Sequence, residues 1–273
     1  MTITATTPDI DQLKARLKAT WMAGDYDRFS RYLERGAREF YERLPVRPGS
    51  TLLDVGCGSG QLALLAAKGG LRVTGVDIAR NLVERARFRA EEQKLQVRFE
   101  EADAEALPFA DAEFDVVASL IGAMFAPHPD LVAAELLRVC KPGGLIAMAN
   151  WTPKGFVGQM FKTVSNFIAP SGMPSPVLWG EETTVRRRFG QGISDLRLVR
   201  RHYTFAYPFP PAEVVELFRL YYGPIHQAFA ALDADGRDSL RGELEALWTR
   251  HNRAGKDRTT VYGEYLEVIG IRA

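Results

Sequence analysis

The sequence has little cysteine, no long apolar run and almost no excess of either charge. Its two cysteines, Cys57 and Cys140, show neither a CxxC spacing nor a disulfide framework, which predicts a reducing compartment and no metal site. Residues 1–10 lack the basic start and the continuous apolar run of a signal peptide. No stretch approaches the roughly 18 apolar residues of a membrane span. We therefore expect a cytoplasmic protein that does not bind a membrane.

The charge balance argues against a polyanionic partner. Lysine and arginine number 35 and aspartate and glutamate 34, so the chain has no overall field that would attract nucleic acid. The arginine run at 186–188 could contact an anion, although a solvated helix face is the favoured interpretation. With 46% hydrophobic and 25% charged residues, the 273-residue chain is typical of a soluble globular protein.

Strands that alternate with helices dominate the middle of the chain. Short apolar segments favour strands at 51–55, 71–76, 97–100, 114–119 and 145–149, with helical patterns between most of them. Two later segments, 196–207 and 259–271, also have strand character. This order predicts an α/β fold with a doubly wound, mostly parallel seven-stranded sheet, which the last two strands close as a pair.

The two ends of the chain favour helices that cover this sheet. Leu13, Leu17 and Trp21 begin an apolar repeat that predicts helices over 9–44 in two pieces, and 211–251 is helical in pattern. We expect an N-terminal helical cap at 1–48, a ligand-binding core at 49–152, and the rest of the sheet at 153–273. A helical insertion at about 208–257, between the last two strands, is a candidate lid.

A glycine-rich turn follows the first strand. Gly56, Gly58 and Gly60 stand at every second position before a helix that begins at Gln61, so a ligand can lie against bare main chain there. The dinucleotide fingerprint places its third glycine one residue later, which weakens an NAD-linked oxidoreductase as the interpretation. A P-loop would need a Gly-Lys-Ser/Thr triplet, which does not occur here.

This stretch resembles the first motif of class I S-adenosylmethionine-dependent methyltransferases, in which an acidic residue precedes three alternating glycines. Three further features of that family follow in order: Asp77 at the end of the second strand, the Glu-Ala-Asp-Ala segment at 101–104, and Lys-Pro-Gly-Gly at 141–144 before the fifth strand. The resemblance covers about residues 50–150 and is nearest to the quinone and small-molecule branch. It implies S-adenosylmethionine as the cofactor and S-adenosylhomocysteine as the product.

The resemblance also implies a role for each matching residue. The turn residues would lie under the methionine and ribose parts, Asp54 would accept from the turn or from the cofactor ammonium, and Asp77 would hold the ribose hydroxyls. Asp103 would accept from the adenine amino group. The cofactor-binding set is Tyr26, Asp54, Gly56, Cys57, Gly58, Gly60, Gln61, Asp77, Ile78, Asp103, Ala104, Ser119 and Leu120. As alternatives, Asp77 caps the next helix and Asp103 is an exposed loop residue.

Two residues are candidates for catalysis. His128 follows the fourth strand, where open α/β sheets bind ligands, and a histidine there could act as a base. It could equally be a loop residue that caps the next helix. Tyr26 lies in an Asp-Tyr-Asp segment similar to one that contributes an aromatic ring over the cofactor in this family, and it could also be a packing residue.

The sequence thus predicts a methyltransferase that acts on a small, partly hydrophobic or aromatic metabolite, as a monomer or homodimer. The aromatic residues after Trp151 favour an apolar acceptor pocket. A cofactor-binding protein without catalysis remains an alternative, because a fold and its cofactor do not fix the chemistry. An RNA or DNA methyltransferase is a second alternative, although Ser119-Leu120-Ile121 stands where an Asn-Pro-Pro-Tyr motif would be expected.

Overall fold

The computed structural model describes residues 10–169 and 172–273. The first nine residues of the predicted N-terminal cap, which make up most of the stretch searched for a signal peptide, lie outside these ranges. Across the described ranges, no helix combines the length and the apolar character that crossing a membrane requires.

Seven strands form one sheet in the order β3-β2-β1-β4-β5-β7-β6. They are Thr51–Val55 (β1), Arg72–Asp77 (β2), Val97–Glu101 (β3), Phe114–Leu120 (β4), Cys140–Trp151 (β5), Ile193–Tyr207 (β6) and Thr259–Arg272 (β7). The first five strands run parallel, and β7 pairs antiparallel with both β5 and β6. The predicted α/β fold and its mostly parallel seven-stranded sheet are therefore confirmed.

Helices cover both faces of the sheet and both ends of the chain. They are Ile10–Met22 (α1), Tyr26–Ser30 (α2), Glu34–Glu42 (α3), Gln61–Lys68 (α4), Arg80–Glu92 (α5), Pro129–Val139 (α6), Phe156–Ser165 (α7), Glu182–Phe189 (α8), Pro211–Tyr221 (α9), Gly223–Ala230 (α10) and Ala234–His251 (α11). The cap is more divided than predicted, because a break at 23–25 and a 3-10 turn at Arg31–Leu33 separate its helices. The segment 211–251 is likewise three helices rather than one continuous run.

The order of the strands places the ligand-binding edge. Strands β2 and β3 are added on one side of β1, whereas β4 and β5 are added on the other, so the strand order reverses between β1 and β4. Open α/β sheets bind their ligands at the carboxyl ends of the strands at such a point. The buried side chains of β1 and β4, among them Leu52, Leu53, Val116 and Val117, lie between the helical layers. The sheet is anchored on both faces, so the loops that follow its strands start from fixed positions.

The helical insertion and the N-terminal helix contact each other above that edge. Trp21 of α1 meets Tyr222, at the start of α10, with ring centroids 5.8 Å apart. The backbones also approach closely, since a Cβ on Gly223 would lie 2.0 Å from the carbonyl oxygen of Thr20. Segments from opposite ends of the chain therefore form one wall over the carboxyl ends of the strands.

Candidate functional site

The turn after β1 has the backbone conformation that its glycines predict. Gly56 and Gly58 have φ angles of 72° and 54°, in the left-handed region that other residues rarely adopt. A Cβ on Gly56 would lie 2.7 Å from Cα of Gly122, in the loop that follows β4. This contact brings the two loops of the ligand-binding edge together and leaves main chain exposed to a ligand.

Gly60 has a different role from the one predicted. Its φ is 89° and it precedes the first residue of α4, but it does not line the cavity described below. A Cβ there would lie 3.1 Å from the ring of Phe99 on β3 and 3.4 Å from Ala86 on α5. The third glycine therefore allows close packing of a helix against the sheet, whereas the first two line the cavity.

A large cavity opens at this edge, with about 1240 Å³ between its walls when the part open to solvent is counted. It reaches from the loops after β1, β2 and β3, across the loop after β4, to α7, β6, α9 and α10. Of the predicted cofactor residues, those that line it are Tyr26, Asp54, Gly56, Cys57, Gly58, Gln61, Asp77, Ile78, Asp103, Ala104 and Leu120. The predicted set is thus largely brought together at one end of the cavity.

Asp77 is fixed by the backbone around it. One carboxylate oxygen accepts from the amide of Gly58 at 2.8 Å and the other from the amide of Ala79 at 2.9 Å. Each oxygen keeps a second lone pair, so the carboxylate can still accept from two hydroxyls. Burial raises its pKa. The residue that caps α5 is Ala79, without a side-chain bond, so Asp77 does not act as that helix's cap.

Asp54 carries an oxygen that lacks a partner. One oxygen accepts from the amide of Ala63 in α4 at 3.1 Å, whereas Oδ1 is buried and has no hydrogen-bond partner in the described chain. Burial, with the nearby Asp77 as a smaller cause, raises the pKa of Asp54 to about 7. A cation placed beside Oδ1 would satisfy it and favour the charged carboxylate. This is the arrangement that an ammonium-bearing ligand requires.

Asp103 lies at the same end but is already paired. Nζ of Lys14 in α1 is 2.6 Å from one of its oxygens, and its other oxygen accepts from the amide of Glu105 at 2.9 Å. Lys14 also lies 2.8 Å from the fully buried carboxylate of Glu105. Lys18, one turn later, pairs with Glu101. These ion pairs hold α1 across the ends of β3 and its loop.

The sequence does not predict the ion pairs of Lys14, because Lys14 lies on a polar face of α1 that is typical of a solvent-exposed helix surface. The available signal was the spacing of Lys14 and Lys18, which places both ammonium groups on one face of α1. The acidic segment at 101–105 lies at the end of β3, and the family resemblance assigns only its Asp103, as an adenine contact. Matching this lysine pair to the acidic segment would have predicted the contact.

The structure does not bring His128 to the cavity. Its amide donates to Glu105 at 2.5 Å, and its Nδ1 lies 2.9 Å from the same carboxylate. The residue stands at the N-terminal cap position of α6, without a side-chain cap bond, and lines a separate surface pocket. Because both the amide and the ring of His128 contact Glu105 and the residue lies outside the cavity lining, the geometry favours a structural role for His128 over that of a base.

Ser119 also does not line the cavity. Its hydroxyl donates to the carbonyl of Val55 at 2.7 Å and accepts from the amide of Ala123 at 2.9 Å. These bonds join the end of β1 to the loop after β4. Leu120, the next residue, does line the cavity. Of these two residues of the predicted cofactor-binding set, Ser119 therefore holds the loop in place and Leu120 lines the cavity.

Tyr26 and Gln61 connect the N-terminal cap to the glycine turn. The ring of Tyr26 lies over Gly58, where an added Cβ would be 3.2 Å away, and burial raises the pKa of its phenol. Gln61 donates from Nε2 to Ser30 of α2 at 2.5 Å and to Ser59 at 2.8 Å. Tyr26 is therefore part of the cavity wall.

Cys57 is a small buried residue of the same turn. Burial raises the pKa of Cys57, so its thiol stays protonated.

The far wall of the cavity is apolar and largely aromatic. It is contributed by segments that are distant in sequence: Phe125, Trp151, Val157, Met160, Tyr203, Phe205 and Phe218. Tyr222 continues this wall toward the glycine turn, because its ring centroid lies 6.4 Å from that of Tyr26. The hydroxyl of Tyr203 donates to the carbonyl of Leu33, so it is not free to contact a ligand. Across the described residues that line the cavity there is no histidine, lysine or arginine. The carboxylates of the lining all belong to the opposite, glycine-turn end.

Comparison with known proteins agrees with this geometry. Residues 53–148 match the family model described as "Methyltransferase domain". An uncharacterized protein of Mycobacterium tuberculosis is 37% identical over 234 residues, which cover 84% of this chain and 85% of that protein. The 27-O-demethylrifamycin SV methyltransferase of Amycolatopsis mediterranei is 38% identical over 135 residues, 47% of this chain and 50% of that enzyme.

A solved structure shares the fold at low sequence identity. It is a phosphoethanolamine N-methyltransferase 2 from Haemonchus contortus, in complex with phosphomonomethylethanolamine and S-adenosylhomocysteine. It superposes with a TM-score of 0.55 at 20% identity, over 87% of this chain and 52% of that one.

Proposed function

The chain belongs to the class I S-adenosylmethionine-dependent methyltransferases, and from that premise we propose that its methyl acceptor is a small, partly apolar or aromatic metabolite. S-adenosylmethionine is its cofactor. The observation that carries the proposal is the division of the cavity into two ends. Glycine backbone and carboxylates form one end, and apolar, mostly aromatic side chains form the other. An acceptor that buries apolar surface against the second end is bound by the hydrophobic effect.

The cofactor fits the polar end on two grounds from the geometry. The unpartnered Oδ1 of Asp54 supplies an acceptor for an ammonium, and Asp77 retains lone pairs for two hydroxyls. When bound, S-adenosylmethionine supplies a methyl group on a sulfonium, which is a good leaving group.

The protein's own contribution to transfer is alignment and exclusion of water. The apolar wall would hold the acceptor atom opposite the sulfonium, and proximity of this kind can contribute up to about 7–11 kcal/mol. Burial raises the pKa of the phenols of Tyr26 and Tyr222, so they are hydrogen-bond donors and not bases near neutral pH. We infer that the acceptor atom is nucleophilic without help from a protein base.

We further propose that the insertion acts as a lid. The insertion supplies Phe218 of α9 and Tyr222, the residue between α9 and α10, to the cavity wall, and Gly223 at the start of α10 packs against α1. An acceptor enclosed by this wall requires the insertion or α1 to move for entry. The relative from Amycolatopsis is named for the acceptor 27-O-demethylrifamycin SV, which is in keeping with a metabolite as the substrate here.

The test is transfer of a labelled methyl group from S-adenosylmethionine to defined pools of acceptors. One pool holds apolar phenols and amines, a second holds charged amino acids, and a third holds total tRNA and DNA. We expect label in the first pool only, and none with Asp77→Ala. Label in nucleic acid, or only in the charged pool, would overturn the proposed acceptor class. S-adenosylhomocysteine binding without transfer to any pool would favour a cofactor-binding protein that does not catalyse transfer.

A further inference from the structure

A second pocket lies on the surface beyond the loop at 126–129, and we call it the Arg188 pocket. The residues that line it come from the start of α6, the segment before α8 and α8 itself: Pro127, His128, Pro129, Asp130, Leu131, Pro174, Leu178, Arg187 and Arg188. None of them lines the large cavity. The methyl-transfer site therefore does not account for this pocket.

Arg188 is a buried cation that lacks hydrogen-bond partners for part of its guanidinium group. Its side chain is only 2% exposed, yet Nε and Nη1 have no hydrogen-bond partner in the described chain. Its guanidinium lies over the ring of Trp179, 4.4 Å from the centroid. An aromatic face attracts a cation but accepts no hydrogen bond in the plane of the guanidinium. Burial lowers the pKa of Arg188, consistent with incomplete compensation.

The carboxylate nearest to Arg188 is a weak partner. Asp130 lies 3.6 Å from Nε of Arg188 and 3.8 Å from Nη1 of Arg187, both beyond hydrogen-bond distance. Its side chain is 69% exposed, so water competes for it. Because the Asp130 carboxylate is solvated and lies beyond hydrogen-bond distance, it compensates the buried guanidinium only in part.

The start of α6 adds donors of the same kind. The helix runs for 11 residues from Pro129, and its cap residue His128 makes no side-chain cap bond. Pro129 has no N–H and the amide of Val132 donates to the carbonyl of His128, so the amides of Asp130 and Leu131 are the ones that lack an acceptor within the helix and attract an anion. Arg187 contributes a further, exposed cation. The pocket thus combines the donors of Arg187, Arg188 and the start of α6 with one carboxylate, Asp130, and its other walls are mostly proline and leucine.

We propose that the Arg188 pocket binds an oxyanion, the carboxylate or phosphate group of a small ligand. The N–H groups of Nε and Nη1 lie on different edges of the guanidinium and lack partners, so each can donate a charge-assisted hydrogen bond to an oxygen of such a group. A neutral ligand would leave the buried charge uncompensated, and a cation would be repelled by both arginines. The oxyanion displaces Asp130, whose exposed side chain is free to turn into solvent.

The test uses inorganic phosphate and acetate as probes, with sodium chloride at equal ionic strength as the reference. Binding is measured by calorimetry and by the shift of the thermal midpoint, with S-adenosylhomocysteine present to keep the large cavity filled. We expect phosphate or acetate to bind and to stabilise more than chloride. Asp130→Asn removes the competing carboxylate and should tighten binding by about twofold to fivefold, as for an exposed charge pair.

Arg188→Met should abolish the effect, whereas Arg80→Met, which removes an exposed arginine of α5, controls for the change in net charge. If Arg188→Met does not fold, Asp130→Asn still decides the question because its side chain is exposed. The proposal is overturned if both probes behave as chloride does in the native chain and in Asp130→Asn. It is also overturned if a folded Arg188→Met binds phosphate unchanged.

Discussion

The two ends of the large cavity are built in opposite ways. The cofactor end consists of backbone and short carboxylates that follow strands β1, β2 and β3 directly, with Gly58, Asp77 and Asp103 as examples. The acceptor end consists of bulky side chains from β5, α7, β6, α9 and α10, which are separated by long stretches of chain. One end is specified locally and the other only by the completed fold.

This difference explains why the sequence predicts the cofactor but does not predict the methyl acceptor. A cofactor of constant structure can be held by main-chain atoms and by carboxylates at strand ends, since a parallel sheet always brings those ends together. An acceptor is recognised by side chains that can be exchanged without altering the sheet. We expect changes at the two ends to separate cofactor affinity from acceptor turnover.

The largest effect is expected for Asp77→Ala. The substitution removes acceptors for two ribose hydroxyls as well as bonds to the amides of Gly58 and Ala79. Hydrogen bonds to a charged group contribute about 1.5–3 kcal/mol each, so affinity for S-adenosylhomocysteine should fall by about 100-fold or more. Calorimetry measures it, and Asp195→Ala on the exposed part of β6 is the control. Unchanged affinity would place the ribose elsewhere.

The next effect concerns the acceptor end. Met160→Gln keeps the length of a buried side chain but places an amide in the apolar wall. An unsatisfied amide costs about 1–3 kcal/mol, so kcat/KM for an apolar acceptor should fall about tenfold while affinity for S-adenosylhomocysteine stays within about twofold. Met22→Gln, on the 40% exposed Met22, is the matched control. Equal losses in both quantities would show that the two ends are not independent.

The third prediction concerns pH. Asp54 has a pKa of about 7 in the free protein, and the cofactor ammonium favours its charged form, which lowers that pKa on binding. Cofactor affinity should therefore be greatest above pH 7 and fall by up to about fivefold between pH 7 and pH 6. Asp54→Asn should remove the dependence. Calorimetry in two buffers of different ionisation enthalpy detects the released proton, and its absence would contradict this placement of the ammonium.

The smallest effect is expected where α1 covers the cofactor end. Lys14→Met removes the ion pairs to Asp103 and Glu105, and affinity for S-adenosylhomocysteine should weaken about threefold to fivefold because α1 closes less firmly. Lys18→Met is the matched variant, with an expected change below about twofold, because both partners of its pair are more exposed. If the two variants weaken binding equally, the loss reflects general charge and not closure by Lys14.

The fold and the cofactor end were largely predictable, for a physical reason. The segment from Thr51 to Gln61 carries its strand, its turn and its helix start in consecutive residues, Asp77 is the last residue of β2, and Asp103 closely follows β3. The failures at this end, Gly60 and Ser119, share a cause. Both residues lie in the right place along the chain, but one packs against Phe99 and the other bonds to Val55. Position in a motif does not fix the direction of a side chain.

The acceptor end and the covering helix were less predictable. The aromatic content after Trp151 was visible, but whether Tyr203 or Phe218 faces a ligand depends on packing between elements far apart in the chain. His128 shows the converse case, since it follows the correct strand yet is drawn aside by Glu105. The choice among acceptors, and the branch of the family, stay predictions for the same reason.

The position of β7 also bears on the order in which the chain folds. In the described sheet β6 pairs only with β7, which itself lies between β5 and β6, and α9–α11 separate the two strands in sequence. The first five strands can assemble through connections of ordinary length, whereas β6 must wait until β7 has been made. During synthesis the cofactor end can therefore form first, and the acceptor wall on β6 is completed only when β7 joins the sheet.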